Sequence, residues 1–277
     1  MLRHTFRHIA GIGPQTERRL WRAGLTSWET ARAAATARHL HEPLCETVHH
    51  FECRNARWFA GRLPPAEVWR LFADFRDRSA YLDIETTGMG PAAQITTVAL
   101  FDGRTLRHYI DGVNLADFGR DVAAYDLLVT YNGKSFDLPY IRRGLGVPVD
   151  QAHIDLRYVL HSLGIKGGLK GSERQLGLSR PGMEEVDGFV AVLLWQEYRR
   201  RREPRALESL LAYNLQDAIN LETLMVHAWN RKLAELTDLP AAAGYRLPLP
   251  AIPANPFRVD ADLVRRLLAC YPLARPY

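Results

Sequence analysis

Tyr81-Leu82-Asp83-Ile84-Glu85-Thr86-Thr87-Gly88 is the stretch on which the reading of this chain turns. Apolar and acidic residues alternate and the run stops at a glycine, the pattern of a short strand ending in a turn. Side chains at i and i+2 share one face of a strand, so Asp83 and Glu85 point together while Leu82 and Ile84 enter an apolar layer on the other side. Two carboxylates held that close repel unless a cation lies between them or one keeps its proton. Oxygen ligands of this kind suit Mg²⁺ or Mn²⁺, which take a few carboxylates together with water and substrate phosphate. In isolation, Asp-x-Glu is also what an ordinary polar strand end looks like, and its meaning depends on the motifs downstream of it.

Downstream, strand and helix alternate. Gln94 to Phe101 and Thr105 to Ile110, rich in β-branched and aromatic residues, flank the turn Asp102-Gly103 and predict a hairpin, giving a three-stranded antiparallel meander with the first strand. A short helix is expected near Leu115 to Tyr125, then the apolar strand Leu127 to Tyr131. That strand delivers Asn132-Gly133-Lys134-Ser135-Phe136-Asp137, and a helix starts there and runs to Gly144. An aspartate at a helix start also serves as an N-cap. A further strand, His153 to Leu156, carries His153 and Asp155, which either support the site or cap a helix. Beyond it the pattern is helical: a short helix from Arg174 to Leu178, a longer one from Gly188 to Arg202 and the longest from Ala206 to Leu236. In the last, Tyr213 and Asp217 are four apart and share a face. They lie beside an apolar stripe including Leu210, Leu215, Ile219 and Leu224, where a carboxylate must be paired, capped or metal-bound if it is buried.

Upstream, Ile9-Ala10-Gly11-Ile12-Gly13-Pro14 precedes a helix from Gln15 to Ala23, and a second helix begins at Glu29. This glycine turn resembles the helix-hairpin-helix family, in which a turn presents backbone N–H groups to a phosphate. The matching positions are Ile9, Gly11, Ile12 and Gly13, with Thr16, Arg18 and Arg19 placed to reach a strand backbone; a turn between packed helices is the plain alternative. Residues 36–78 read as connecting helices. Within them His41, Cys45, His49 and Cys53 recur every fourth residue, a spacing that raises zinc, but structural zinc sites pair ligands across a turn, so a packed helix face is expected. The segment from Leu239 holds Pro240, Pro248, Pro250, Pro253 and Pro256 and predicts an extended tail along the surface, with a last helix from Asp260 to Cys270. The expected division is a helical module over 1–78, an α/β domain over 79–236 and a proline-rich tail over 237–277.

With 277 residues and a net charge of +5, the chain has the composition of an ordinary globular protein, and no apolar run approaches the length of a membrane span. The amino terminus lacks the apolar core of a signal peptide, and the odd count of three cysteines fits a reducing compartment, so a cytoplasmic location is expected. The positive charge is nearly all arginine, since Lys134, Lys166, Lys170 and Lys232 are the only lysines. That is compatible with a polyanionic partner, and equally with a compositional bias toward arginine.

Asp-x-Glu on the first strand, Asn-x-x-x-Phe-Asp after the fourth and Tyr-x-x-x-Asp in a late helix together resemble the three exonuclease motifs of the DnaQ-like superfamily. The helical start resembles the bacterial YprB-type ribonuclease H-like domain proteins. The resemblance spans residues 79 to 232 and implies an α/β fold, a mixed five-stranded ribonuclease H-like sheet flanked by helices behind the small amino-terminal module. It implies Asp83, Glu85, Asp137 and Asp217 as ligands of two divalent metal ions, Mg²⁺ or Mn²⁺, and Tyr213 as the group that positions the attacking water. The histidine variant places its histidine five residues before the last aspartate, where this chain has Ala212. Thr86 is implied beside the terminal nucleotide, and Asn132 and Phe136 shape the site. Lys134, Arg142, Arg143, Lys166, Lys170 and Arg174 are candidates for the substrate backbone. The implied activity is 3′–5′ exonuclease action on a single-stranded or frayed nucleic-acid end, with no membrane and no protein partner inferred. The alternatives are a binding protein with a vestigial site and an endonuclease acting on RNA in hybrids.

Overall fold

In a computed structural model, residues 1–183 and 185–271 are described; Glu184 and residues 272–277, the end of the expected tail, lie outside them. Strands β1 (Ser79–Thr86), β2 (Ile95–Phe101), β3 (Leu106–Ile110), β4 (Leu127–Thr130) and β5 (Ala152–Asp155) form one mixed sheet in the order β3-β2-β1-β4-β5. The meander β1-β2-β3 is antiparallel, whereas β1-β4 and β4-β5 are parallel. The helices are α1 (Pro14–Arg22), α2 (Trp28–Ala33), α3 (His41–Glu52), α4 (Ala56–Arg62), α5 (Phe72–Phe75), α6 (Phe118–Val122), α7 (Asp137–Leu145), α8 (Leu156–Ser162), α9 (Gly168–Gln175), α10 (Gly188–Arg201), α11 (Pro204–Ala234) and α12 (Ala261–Ala269).

Alternation along β1 separates two apolar layers. Ala80, Leu82 and Ile84 pack with Phe118, Val122, Leu138 and Ile141 of α6 and α7 on one face. Tyr81, Phe101 and Val129 meet Leu215, Ala218 and Leu221 of α11 on the other. All seven residues of β2 are buried, because it lies inside the sheet with both faces covered. Helix α11 starts at Pro204, whose missing N–H costs nothing at a first helical position, and carries apolar residues around its whole circumference between Leu210 and Val226. Such a helix belongs inside the protein rather than on it.

The amino-terminal helices share their core with α11 and the sheet. Trp69 and Phe72 pack edge-on against Trp229 of α11, with ring centroids 5.4 and 6.0 Å apart. The indole N–H of Trp229 donates to the Tyr245 carbonyl at 2.8 Å, fixing the start of the proline-rich segment. That segment then returns along α11: Asn230 exchanges two hydrogen bonds with Leu247, Asn255 donates to the Ala212 carbonyl, and the Asp260 amide donates to Ser209 Oγ. Leu263, Val264 and Leu267 of α12 bury against the cluster formed by α10 and α11. In the glycine turn Gly11 takes φ +80° and α1 begins at Pro14, and Arg18 lies 3.9 Å from Asp238.

Two expectations need correction. The helix expected at Arg174 to Leu178 runs instead from Gly168 to Gln175. Its glycines have tertiary reasons: a Cβ on Gly171 would lie 3.1 Å from the Lys166 carbonyl oxygen, and the N-cap Gly167 sits at φ +101°. The stripe His41, Cys45, His49 and Cys53 is not a packed face, because α3 buries Leu44 and Thr47 and leaves both cysteines exposed. Among the described residues these four form no three-ligand cluster.

Because Trp229 joins the amino-terminal helices, α11 and the tail, Trp229→Ala is expected to cost about 3–5 kcal/mol. Urea unfolding followed by far-ultraviolet circular dichroism should show one cooperative transition at a lower midpoint, and an early separate loss of helix would contradict the shared core.

Candidate metal centre and nucleic-acid cleft

Strand β1 pairs with β4 only from Ser79 to Tyr81 and then runs on without it. This leaves the backbone N–H of Ile84 facing the gap where the two parallel strands part, and Asp137 Oδ1 accepts it at 3.2 Å. The carboxylate at the start of α7 is thereby drawn toward the strand that carries Asp83 and Glu85. Helix α11 crosses the same end of the sheet and brings Tyr213, Asn214 and Asp217. Asp83, Glu85 and Asp217 each place one carboxylate oxygen within 4.8 Å of the others. Crevices at the carboxyl ends of parallel strands, where strand order diverges, are the usual ligand sites of open α/β sheets.

The group is electrostatically costly without a cation. Burial raises the Asp83 carboxyl well above the ordinary range, and Asp217, Asp137 and Glu85 raise it further. Burial and the charges of Asp217 and Asp137 do the same to Glu85, against which Lys170 acts. Asp137 is pushed up to about 7, mainly by burial, despite its backbone hydrogen bonds. Asp217 is raised by burial and pulled back by the guanidinium of Arg180, which donates to its Oδ1. Oxygen-only donors lacking enough counter-charge of their own fit a hard divalent ion. Tyr213, 6% exposed, has its hydroxyl pKa raised well above 10.0 by burial and then by Asp217 and Glu85.

The second-motif loop is held from beneath. Asp155, at the end of β5, accepts the backbone N–H groups of Asn132 at 2.7 Å and Lys134 at 3.0 Å and also caps α8 through Arg157. It therefore both caps and supports. Asn132 takes φ +67°, and a Cβ on Gly133 would collide with Thr130 Oγ1. Asn132 Oδ1 accepts from Ser135 and Arg157 and lines the cleft, while Phe136 packs against Tyr140 in the opposite layer. Thr86 is buried and its hydroxyl donates to the Gly88 carbonyl at 2.7 Å. Asp83 and Asp217 open into a cleft of about 550 Å³ whose walls include Tyr131, Asn132, Arg157, His161, Lys166 and Gly167. A larger groove of about 1070 Å³ lies by the amino-terminal turn, between Arg7, Arg62, Glu42 and Glu46, and its mixed charges set it apart from the acidic centre.

Of the sequence-derived cations, Lys166 and Lys170 lie beside the site. Lys134, Arg142, Arg143 and Arg174 are exposed and do not line the cleft. Three neighbours of the centre escaped the sequence reading. Asn214 donates to Asp83 Oδ2 at 2.7 Å; a fully buried amide inside the apolar run Leu210 to Leu215 was the available signal. Arg180 and its partner Glu173 left none, since neither belongs to a periodic pattern around a motif.

The RNase_H superfamily profile matches residues 80–229, more than half of the chain and all the elements that carry the centre. The chain belongs to the RNase_H superfamily. It is 28% identical over 181 residues to the uncharacterized protein YprB of Bacillus subtilis (strain 168), covering 56% of this chain and 43% of that relative, so it spans under half the relative's length. The solved family B DNA polymerase of the hyperthermophilic archaeon Pyrobaculum calidifontis aligns with 60% of this chain and 27% of its own at 15% identity, with a TM-score of 0.42. As an RNase_H superfamily member the chain has the mixed sheet expected from its sequence, with an acidic cluster where the central strands part. Among the described residues, no helix is long and apolar enough to cross a membrane.

A folded Asp137 that keeps its proton to about 7, against 3.8 as the ordinary value, contributes stability that is present at low pH and lost as pH rises through 7. Without divalent cations, the melting temperature is therefore expected to fall between about pH 4 and pH 7. Asp137→Asn should flatten that slope, and millimolar Mg²⁺ or Mn²⁺ should raise the melting temperature at pH 8. A wild-type profile rising over the same interval would show that other groups dominate.

Proposed function

We propose that this protein is a metal-dependent 3′–5′ exonuclease acting on single-stranded or frayed nucleic acid. The observation that carries this reading is the convergence of Asp83, Glu85 and Asp217 within 4.8 Å, with Asp83 and Asp217 opening into a cleft that Arg157 and Lys166 also line. Asp83, Glu85 and Asp217, with Asp137 beside them, are the residues that would hold two divalent ions, Mg²⁺ or Mn²⁺. Such ions activate water and neutralise the leaving oxygen in phosphodiester hydrolysis.

The chain's own residues supply orientation. Asn214 fixes the rotamer of Asp83 through its amide donor. Burial and the neighbouring carboxylates favour the protonated form of Tyr213, whose hydroxyl orients the attacking water as a hydrogen-bonding group. Asn132 and Arg157, joined through the asparagine carbonyl, face the cleft where a strand backbone enters. Arginine and lysine there match phosphate without reading a base, which fits an activity indifferent to sequence. Thr86, the last residue of β1, sets the turn at Gly88, and Phe136 anchors the start of α7 from the far side of the sheet.

The test is degradation of 5′-labelled single-stranded DNA and RNA with Mn²⁺ or Mg²⁺. A ladder shortening from the 3′ end, abolished by EDTA and by Asp83→Ala, is the expected result. Tyr213→Phe should retain Mn²⁺ binding and lose roughly 10²-fold in turnover. Internal fragments would indicate an endonuclease, and intact substrate under every condition would defeat the enzymatic reading.

A further inference from the structure

Arg180 lies in the connection between α9 and α10, and its side chain is only 7% exposed. Two of its nitrogens are committed to one partner: Nε donates to Glu173 Oε2 at 2.6 Å and Nη2 donates to Oε1. Glu173 is itself 1% exposed and fixed by Asn220, whose amide donates to Oε1 at 2.8 Å. The guanidinium carbon lies 5.9 Å from the centre of the Tyr213 ring. The third nitrogen, Nη1, donates to Asp217, a member of the carboxylate cluster. The fork is thus anchored through one edge while its other edge occupies a carboxylate that a divalent ion also needs.

We propose that Arg180 is an exchangeable counter-charge: it neutralises Asp217 until a divalent ion takes that carboxylate, and its freed Nη1 then binds a non-bridging oxygen of the scissile phosphate. The inference rests on the proposed nuclease activity. Asp217 cannot serve a guanidinium and a divalent ion equally, because two cationic centres on one carboxylate repel across a poorly solvated space. Anchored to Glu173, the guanidinium cannot retreat into solvent, and a buried cation deprived of one partner requires another anion. A phosphate offers the matching geometry, since the planar fork suits its oxygens and charge accumulates on them in the transition state. Metal and phosphate then bind cooperatively, the first ligand freeing the donor used by the second.

Binding of Mn²⁺ to the metal-free protein, binding of thymidine 5′-monophosphate in saturating Mn²⁺, and turnover of a single-stranded oligonucleotide test this together. Arg180→Gln removes the competing charge and is expected to bind Mn²⁺ about tenfold tighter, within the usual range of coupling between two sites. Its affinity for the mononucleotide should fall about tenfold, and turnover about a hundredfold, as when one transition-state donor is removed. Glu173→Gln leaves the guanidinium to Asp217 alone and should weaken Mn²⁺ binding, the opposite direction, which also decides the matter if Arg180→Gln does not fold. A purely structural role would shift both variants the same way and would overturn the proposal. So would unchanged or weaker Mn²⁺ binding by folded Arg180→Gln, or tighter Mn²⁺ binding with unaltered mononucleotide affinity. Neither binding measurement needs turnover, so a wild-type protein showing the exchange but cleaving nothing would defeat the nuclease reading and still support the role of Arg180.

Discussion

Mutual repulsion among Asp83, Glu85, Asp137 and Asp217 is the constraint around which this structure is arranged. Four carboxylates at one end of a sheet lose solvation and oppose each other, and the fold holds them there with rigid supports on several sides. Asp83 and Glu85 are fixed by strand pairing with β2, Asp137 by the N–H of Ile84, and Asp217 by a helix buried along most of its length. Lys170 and Arg180 offset part of the accumulated charge, and Asn214 donates a hydrogen bond to Asp83. The negative charge that remains is of the kind a hard cation would balance.

Helix α11 links this centre to the stability of the rest. Its middle presents Tyr213, Asn214 and Asp217 to the sheet, while Trp229 near its carboxyl end receives the amino-terminal helices and the proline-rich segment. An element so placed cannot shift by a residue without moving the site and opening the core together. The cost of clustering the carboxylates is therefore carried by apolar packing elsewhere on the same helix. Within the amino-terminal helices, the ion pair between Arg70 and Glu17, at 3.0 Å and nearly inaccessible, ties α1 to the segment before α5 and also engages Thr5.

Much of the fold was legible because its signals are local. Alternation in Tyr81 to Thr86 assigned Leu82 and Ile84 to one layer and the acids to the other, Asp102-Gly103 marked the hairpin, and the four-residue spacing of Tyr213 and Asp217 put both on one face. Glycine misled where its reason was tertiary. The helix placed at Arg174 to Leu178 begins six residues earlier, because Gly167 takes a left-handed conformation and Gly171 lets the Lys166 carbonyl approach closely. The His–Cys stripe of α3 misled in the other direction, because a four-residue period drifts around a helix and the buried positions fell to Leu44 and Thr47.

By itself, the sequence determined the order of strands and helices, the face on which each acidic motif lies and the separation of core from surface along β1 and α11, since these come from backbone periodicity. Only the tertiary structure decided which groups meet the carboxylates. Arg180 is 37 residues from Asp217 and Asn214 is 131 from Asp83, and no local rule relates such partners. Asp155 likewise joins the second motif only because β5 pairs with β4 and carries it beneath the loop of Asn132 to Lys134. Spacing fixes the direction of a side chain relative to its own element, whereas the field it experiences comes from elements that packing brings together.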